Sequence, residues 1–457
     1  MSTAAATDSI TAEQIAAGKR AYELDRQHVF HSWQAQGPFN PMTILKAEGS
    51  WVWDGEGNKL LDLSSQLVNT NIGHQHPKVV AAIQEQAGKL CTIAPQHVND
   101  ARSEAARLIA ELTPGDLNHV FFTNGGADAV EHAIRMARLH TGKHKVLAAY
   151  RSYHGGTQLA INATGDPRRF PNDRGDSGVV HFMPPYPYRS YFAATTEAEE
   201  TERALRHLED LITLEGAANI GALILESIPG TAGIYVPPAG YMEGVRTLTR
   251  KYGIIFIADE VMAGFGRSGQ WFAINHWDIT PDLITFAKGV NSGYVPLGGV
   301  AISDAIFETF RERPYPGGLT YSGHPLACAA AVATIKSMQD ESMVENAARL
   351  GEQIIGPVLA ELMAKHPSVG DVRGTGCFWA VELVTNRETR EPMAPYGGSS
   401  PAMSAVTAAL KKAGILPFVN FNRIHVVPPL NISDADLRTG LAMLDEALDV
   451  ADTFVTD

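Results

Sequence analysis

Three short apolar runs each end on a charged residue. Gly221 to Leu225 ends at Glu226, Ile254 to Ala258 at Asp259-Glu260, and Leu283 to Ala287 at Lys288. Runs of that length read as buried strands. In an open parallel sheet, ligands sit beyond the carboxyl ends of the strands, so two carboxylates and one lysine converge on one crevice. A lysine leaving an apolar strand is partly desolvated, which disfavours its ammonium and frees an amine for attack on a carbonyl. Taken singly, each is an ordinary strand-end residue. Together they specify a site.

Three loops add to it. Asn124-Gly125-Gly126-Ala127 joins a strand to a helix start, where small residues let backbone N–H groups and the helix dipole approach an anion. The same four residues also make an ordinary strand–helix turn. In Ser152-Tyr153-His154-Gly155-Gly156, Tyr153 or His154 can lie flat on a planar ligand. The loop Gly317-Gly318-Leu319-Thr320-Tyr321-Ser322-Gly323-His324-Pro325 offers hydroxyl donors to a phosphate.

The elements that must hold these residues follow from periodicity. Between about 78 and 330, helical stretches alternate with short apolar runs, the pattern of an α/β domain with a mostly parallel sheet. His119 to Thr123 is a strand; in the helix after it Val130, Ala133, Ile134 and Ala137 share one face, and Gly142 ends it. Residues 11–32 predict a helix, and 51–53 and 59–63 predict strands. After 335 the spacing predicts a long helix over 339–365, strands at 378–384 and near 424–427, and a last helix over 433–451. The expected division is 1–70 as an N-terminal segment belonging to the small domain, 71–335 as the large domain, and 336–457 as a small α+β domain.

Composition narrows the function. The 457 residues carry 37 basic against 50 acidic side chains, with no basic stripe for nucleic acid or anionic membrane. Three cysteines without a CxxC, and the pairs His74/His76 and His140/His144 without completing partners, give no expected metal site. Neither a signal peptide nor a membrane span is readable, so the expected location is cytoplasmic. Gly264-Phe265-Gly266-Arg267-Ser268-Gly269 fits GxGxxG, leaving a nicotinamide-dependent oxidoreductase as a distant alternative, but no clear crossover helix follows it.

The order and spacing of FFTNGGADAVEHAIRMAR, YRSYHGGT, ALILESIPGTAGIYVPP, FIADEVMAGFGRSG, FAKGVNSGYVPLGG and GLTYSGHPLACA resemble class III (omega) aminotransferases, of amine:pyruvate type, over nearly the whole chain. The resemblance implies the fold-type I architecture and pyridoxal 5'-phosphate as cofactor. By it, Lys288 is the Schiff-base lysine and proton shuttle, and Asp259 the carboxylate that keeps the pyridine nitrogen protonated. Val261 and Tyr153 flank the ring, Gly126 and Ala127 bind the phosphate, and Glu226 lies near the ring hydroxyl. Thr320 reaches the phosphate of the neighbouring subunit, which implies a homodimer with shared sites.

The chain departs from the family's pattern in three places. Gly125-Gly126-Ala127 stands where Ser-Gly-Ser is frequent, and Ser227 stands where proline is usual. Phe418 occupies the place of a mobile arginine, leaving Arg423 as the nearest guanidinium for a pyruvate carboxylate; pairing with a surface acid is its other reading. Val68, next to Leu67, stands where a tryptophan often fills the pocket, which suggests room for a bulkier amine. The implied activity is an (S)-selective transfer from a primary amine to pyruvate or a similar 2-oxo acid by a ping-pong course. Taurine or β-alanine is the alternative donor.

Overall fold

The computed structural model describes residues 10–173, 175 and 178–456. The first nine residues of the N-terminal segment lie outside them.

A seven-stranded sheet forms the centre. Its order is His119–Thr123, Gly298–Ile302, Leu283–Phe286, Ile255–Asp259, Ile220–Glu226, Lys145–Ala149 and Val179–Phe182. The pairings from Leu283–Phe286 through Val179–Phe182 are parallel, and only Gly298–Ile302 runs against its neighbours. The middle strands are buried along their length, which explains why they read as unbroken apolar runs. Helix Gly126–Thr141 lays Val130, Ala133, Ile134 and Ala137 on this sheet, all fully buried. Each valine or isoleucine so covered contributes about 1.5–3 kcal/mol. Gly142 ends the helix at φ 69°, a left-handed conformation that glycine adopts without strain.

The second lobe holds an antiparallel sheet of Val369–Thr375, Phe378–Asn386, Arg423–Val426 and Phe418–Asn420. A further sheet combines Ile44–Glu48, Trp51–Asp54 and Lys59–Asp62 with Ile415–Leu416, so N-terminal strands are completed by a C-terminal one. The last helix, Asp434–Asp452, packs on helix Pro401–Ala413.

The long helix expected over 339–365 begins at Met343, after a break from helix Pro325–Asp340, and runs to Lys365 with one widened turn at Gly351–Ile355. Ser342 makes the break at φ 49°. Pro357, which lacks an N–H, lies just after the widened turn. The run Gly264 to Gly269 leads into turns and a short helix of five residues, Ala273–Trp277. Arg267 in its middle is fully buried and donates to the carbonyls of Cys377 (3.1 Å) and Pro428 and to Asn71 Oδ1 at 2.8 Å. It ties the lobes together and presents no helix N-terminus to a dinucleotide.

Among the described residues, no helix is long and apolar enough to cross a membrane. His366, which with Asp449 and Asp452 has ligand-like spacing, has its ring nitrogens 2.6 Å from Asp445 and 2.7 Å from Asp452.

Candidate active site

The parallel register decides the geometry. Glu226 lies directly beside Asp259, Asp259 beside Thr285, and Lys288 three residues beyond. All three charged groups line one cavity of about 380 Å³ at the carboxyl ends of the strands, with Gly125, Gly126, Ala127, Tyr153 and Val261. Lys288 itself takes φ 43°, a strained conformation of a kind found at sites where function holds it.

Electrostatics divides the roles. Burial pushes the Lys288 ammonium down to about 8, outweighing the attraction of Glu226 and Asp259. Burial also raises the Glu226 carboxyl, whose Oε1 accepts from the Tyr153 N–H at 2.9 Å and Oε2 from the Gly230 N–H at 3.0 Å. Glu226 therefore sets the Tyr153 backbone. Asp259 Oδ1 accepts from the Val261 N–H at 3.1 Å, and its Oδ2 meets His154 Nδ1 at 2.6 Å.

His154 is a residue the sequence misplaced. It does not lie flat on a ligand; it is buried behind Asp259 and bonded to it. Although burial acts to lower its pKa, the Asp259 hydrogen bond and charge raise it above the ordinary value. The short bond from His154 Nδ1 fixes the orientation of the Asp259 carboxyl. Nothing local in Tyr153-His154 distinguishes a stacking ring from a charge partner.

Two further features fit a flat, phosphorylated ligand. Gly125 leads into helix Gly126–Thr141, whose first N–H groups face the cavity with the positive end of the helix dipole. A Cβ at Gly126 would lie 2.8 Å from Val261 Cγ1, so glycine keeps the side wall in place.

Ser227, unexplained by the resemblance, acquires a role. Its hydroxyl donates to Glu260 Oε1 at 2.5 Å. Glu260, fully buried, also accepts from the Ala273 and Ile274 N–H groups at 2.9 and 2.8 Å. Burial nevertheless pushes its carboxyl up to about 7. We expect Ser227→Ala to cost about 1–3 kcal/mol, because it strips a donor from a buried carboxylate. Urea unfolding checks this; a change under about 0.5 kcal/mol would count against the bond.

A second cavity of about 570 Å³ opens onto the same lysine. Leu67, Phe418, Met262, Thr231, Arg168 and Trp33 are among its walls. Arg168 escaped the sequence reading because it lies 120 positions before Lys288, in a loop with no periodic signal. Its guanidinium lies 3.5 Å from the centre of the Tyr153 ring, and Asp166 holds its Nε at 2.9 Å and its Nη2. Its Nη1 makes no hydrogen bond among the described residues.

Two substrate-side expectations are corrected. Val68 does not line the cavity. Ser65, Gln66 and Val68 have φ of 44°, 61° and 57°, a twist that turns Leu67 to the cavity and Val68 into the core against Phe378 and Val427. Buried Asp62 holds this turn, accepting from Ser64 Oγ at 2.6 Å and Gln66 Nε2 at 2.9 Å. Arg423 is also absent from the walls. It is 2% exposed, so no surface acid reaches it, and its backbone lies opposite that of Glu382 on the neighbouring strand, with no ion pair between the two side chains among the described residues. The loop around Thr320 lies outside both cavities, and Thr320 is exposed.

The pattern that defines Aminotransferase class-III matches residues 33–448. The chain belongs to the class III aminotransferases. This family uses pyridoxal phosphate, and the cavity's amine, carboxylate, two side walls and helix N-terminus fit that group. The chain is similar to a taurine:2-oxoglutarate aminotransferase from Bifidobacterium kashiwanohense, solved in complex with PLP and glutamate. The two are 43% identical, with a TM-score of 0.92 over 95% of this chain and 98% of that one. It is similar to an (S)-enantioselective omega-transaminase from Thermomicrobium roseum, 36% identical, TM-score 0.87, covering 94% and 98%. It is 33% identical to a taurine–pyruvate aminotransferase of Rhodobacter capsulatus, covering 93% of this chain and 95% of the relative. This aminotransferase therefore has the fold-type I α/β architecture expected of its family.

Proposed function

We propose that this aminotransferase moves the amino group of a short amine bearing a distal anion, taurine or β-alanine, to a 2-oxo acid. The supporting observation is Arg168: a guanidinium whose Nη1 has no hydrogen-bond partner among the described residues, on the wall of the cavity that contains Lys288. A sulfonate or carboxylate two carbons from a reacting amine suits a cation on the wall of the same cavity, and arginine binds such groups with fixed geometry.

In this reading, bound pyridoxal phosphate supplies an aldehyde and an electron-accepting ring. Lys288 Nζ holds the cofactor, then takes and returns the proton of the donor's carbon. Asp259, oriented by His154, would hold the ring nitrogen protonated. Tyr153 and Val261 would pack on the ring, and the Gly126 and Ala127 N–H groups would hold the phosphate. Arg168 orients the donor and excludes uncharged competitors.

The apolar walls Leu67, Met262 and Phe418 favour a second reading, a neutral primary amine with pyruvate as acceptor. By similarity to the Thermomicrobium roseum enzyme, that transfer is (S)-selective. Either reading includes a homodimer in the cytoplasm, with Thr320 reaching the partner's phosphate; exposed Phe30, Trp33, Leu67 and Tyr321 suit such an interface.

The test is the visible cofactor band of the holoenzyme after a single amine is added without acceptor. Taurine is expected to bleach it, and 1-phenylethylamine alone doing so moves the assignment to the second reading. Arg168→Gln is expected to raise the KM for taurine about 10- to 100-fold, the loss of a charge-assisted contact. Its effect on a neutral amine stays within about threefold; equal effects on both would remove Arg168 from the site.

A further inference from the structure

We propose that Arg151 and Arg423 form a second anion subsite, behind the substrate pocket, which takes the distal carboxylate of a dicarboxylic 2-oxo acid. The proposal rests on the transaminase reading above and specifies its acceptor.

Charge balance at the boundary between the lobes comes first. Four guanidiniums gather there: Arg151, Arg189, Arg373 and Arg423. Their nearby carboxylates, Glu382 and Asp371, are engaged elsewhere. Glu382 accepts from Arg189 Nε at 2.9 Å, Arg373 Nη2 at 2.8 Å and the Tyr186 hydroxyl at 2.5 Å. Asp371 takes Arg373 Nη1 at 2.5 Å. Among the described residues neither Arg151 nor Arg423 forms an ion pair. Arg151 instead donates to the Tyr235 hydroxyl at 2.8 Å and lies 4.5 Å from the centre of the Tyr396 ring. Arg151 is thus half-buried among aromatic rings, and an anion beside it would supply the counter-charge that those rings lack.

Unpartnered polar atoms point the same way. Arg423, almost fully buried, leaves its Nε without a partner, and its Nη2 reaches the Thr231 carbonyl only at 3.5 Å. Two residues on, and so on the same face of the strand, buried His425 leaves both ring nitrogens unpartnered. Native interiors rarely leave such groups unmatched, and an anion would match the cationic one.

Position supplies the ligand. Thr231 and Phe421 line the substrate cavity, and Arg423 lies 5.3 Å from the centre of the Phe421 ring. Tyr396 packs on Phe421 with ring centres 5.3 Å apart and covers Arg151, while Gly397 beside it lines the cavity. Phe421 stands against both the cavity and Arg423, and half-exposed Tyr396 lies over Arg151 on its outer side. A 2-oxo acid held at Lys288 by its reacting end extends toward this wall, and only a second carboxylate would satisfy the cations behind it.

The test compares acceptors on the holoenzyme. In Arg151→Gln and in Arg423→Gln, the KM for 2-oxoglutarate is expected to rise about tenfold or more, and that for pyruvate to stay within about twofold. Without turnover, glutarate should raise the melting temperature of the wild-type holoenzyme more than propionate does, and Arg151→Gln should remove the difference. Equal KM changes for both acceptors overturn the proposal. So does protection by chloride equal to that by glutarate, which would indicate a site for a free inorganic anion. Should Arg423→Gln not fold, Arg151→Gln and the wild-type glutarate shift decide alone. Failure of the donor reading is distinguishable: taurine without acceptor then leaves the cofactor band unchanged, whatever the acceptor ratio.

Discussion

Lys288→Ala leaves a folded protein that binds pyridoxal phosphate weakly and transfers amino groups about 10⁴-fold more slowly or worse. Lys288 is the one lysine lining either cavity, so a single substitution removes both the cofactor's attachment and the base at the donor's carbon. Fold is spared because the neighbours that bury Lys288 belong to strands packed independently of it. The pH dependence of attachment follows from the ammonium pushed down to about 8. Below that pH the amine carries a proton and cannot attack; above it the neutral amine predominates. Reconstitution of cofactor-stripped enzyme should therefore accelerate as pH rises through about 8 and then level off. A rate flat from pH 6 to 10, read from the growth of the cofactor band, contradicts the depressed lysine. Turnover by Lys288→Ala near the wild-type rate would dismiss the whole assignment.

Asp259→Asn is the second large effect, and it isolates charge from shape. Asparagine fills the same volume and can still accept from the Val261 N–H and meet His154, so unfolding should change by less than about 1 kcal/mol. What disappears is a full negative charge in a buried site. At about 4 Å and an effective dielectric near 20, such a charge contributes about 4 kcal/mol to keeping a ring nitrogen protonated. That predicts a loss of about 10²- to 10³-fold in kcat, with donor KM altered little. Stopped-flow measurement of the donor half-reaction reads it directly. An unchanged rate would show that Asp259 serves the fold alone. His154 belongs to the same device: its pKa is raised because the proton it holds faces Asp259 at 2.6 Å.

Much of this was legible in the chain because strand-end chemistry is local. An apolar run that ends on Glu226, Asp259 or Lys288 announces both the buried strand and the charge beyond it. The helix after Asn124 could be read to its glycine stop for the same reason: periodicity and capping are properties of neighbours in sequence. The order of motifs then carried the family and its cofactor, since their spacing along the chain is itself sequence.

What the tertiary structure decided was everything that depends on partners far apart in the chain. His154 is a charge partner because the fold sets it against Asp259, 105 residues further along the chain. Ser227 matters because Glu260 ends the next strand. Val68 turned inward because buried Asp62 holds a left-handed turn that no propensity favours. Arg168 went unread and Arg423 was misplaced for the same reason. A guanidinium's function is set by which carboxylates reach it, and only folding determines that Asp166 leaves one nitrogen of Arg168 in the pocket while Arg423 is buried with its Nε unpartnered among the described residues.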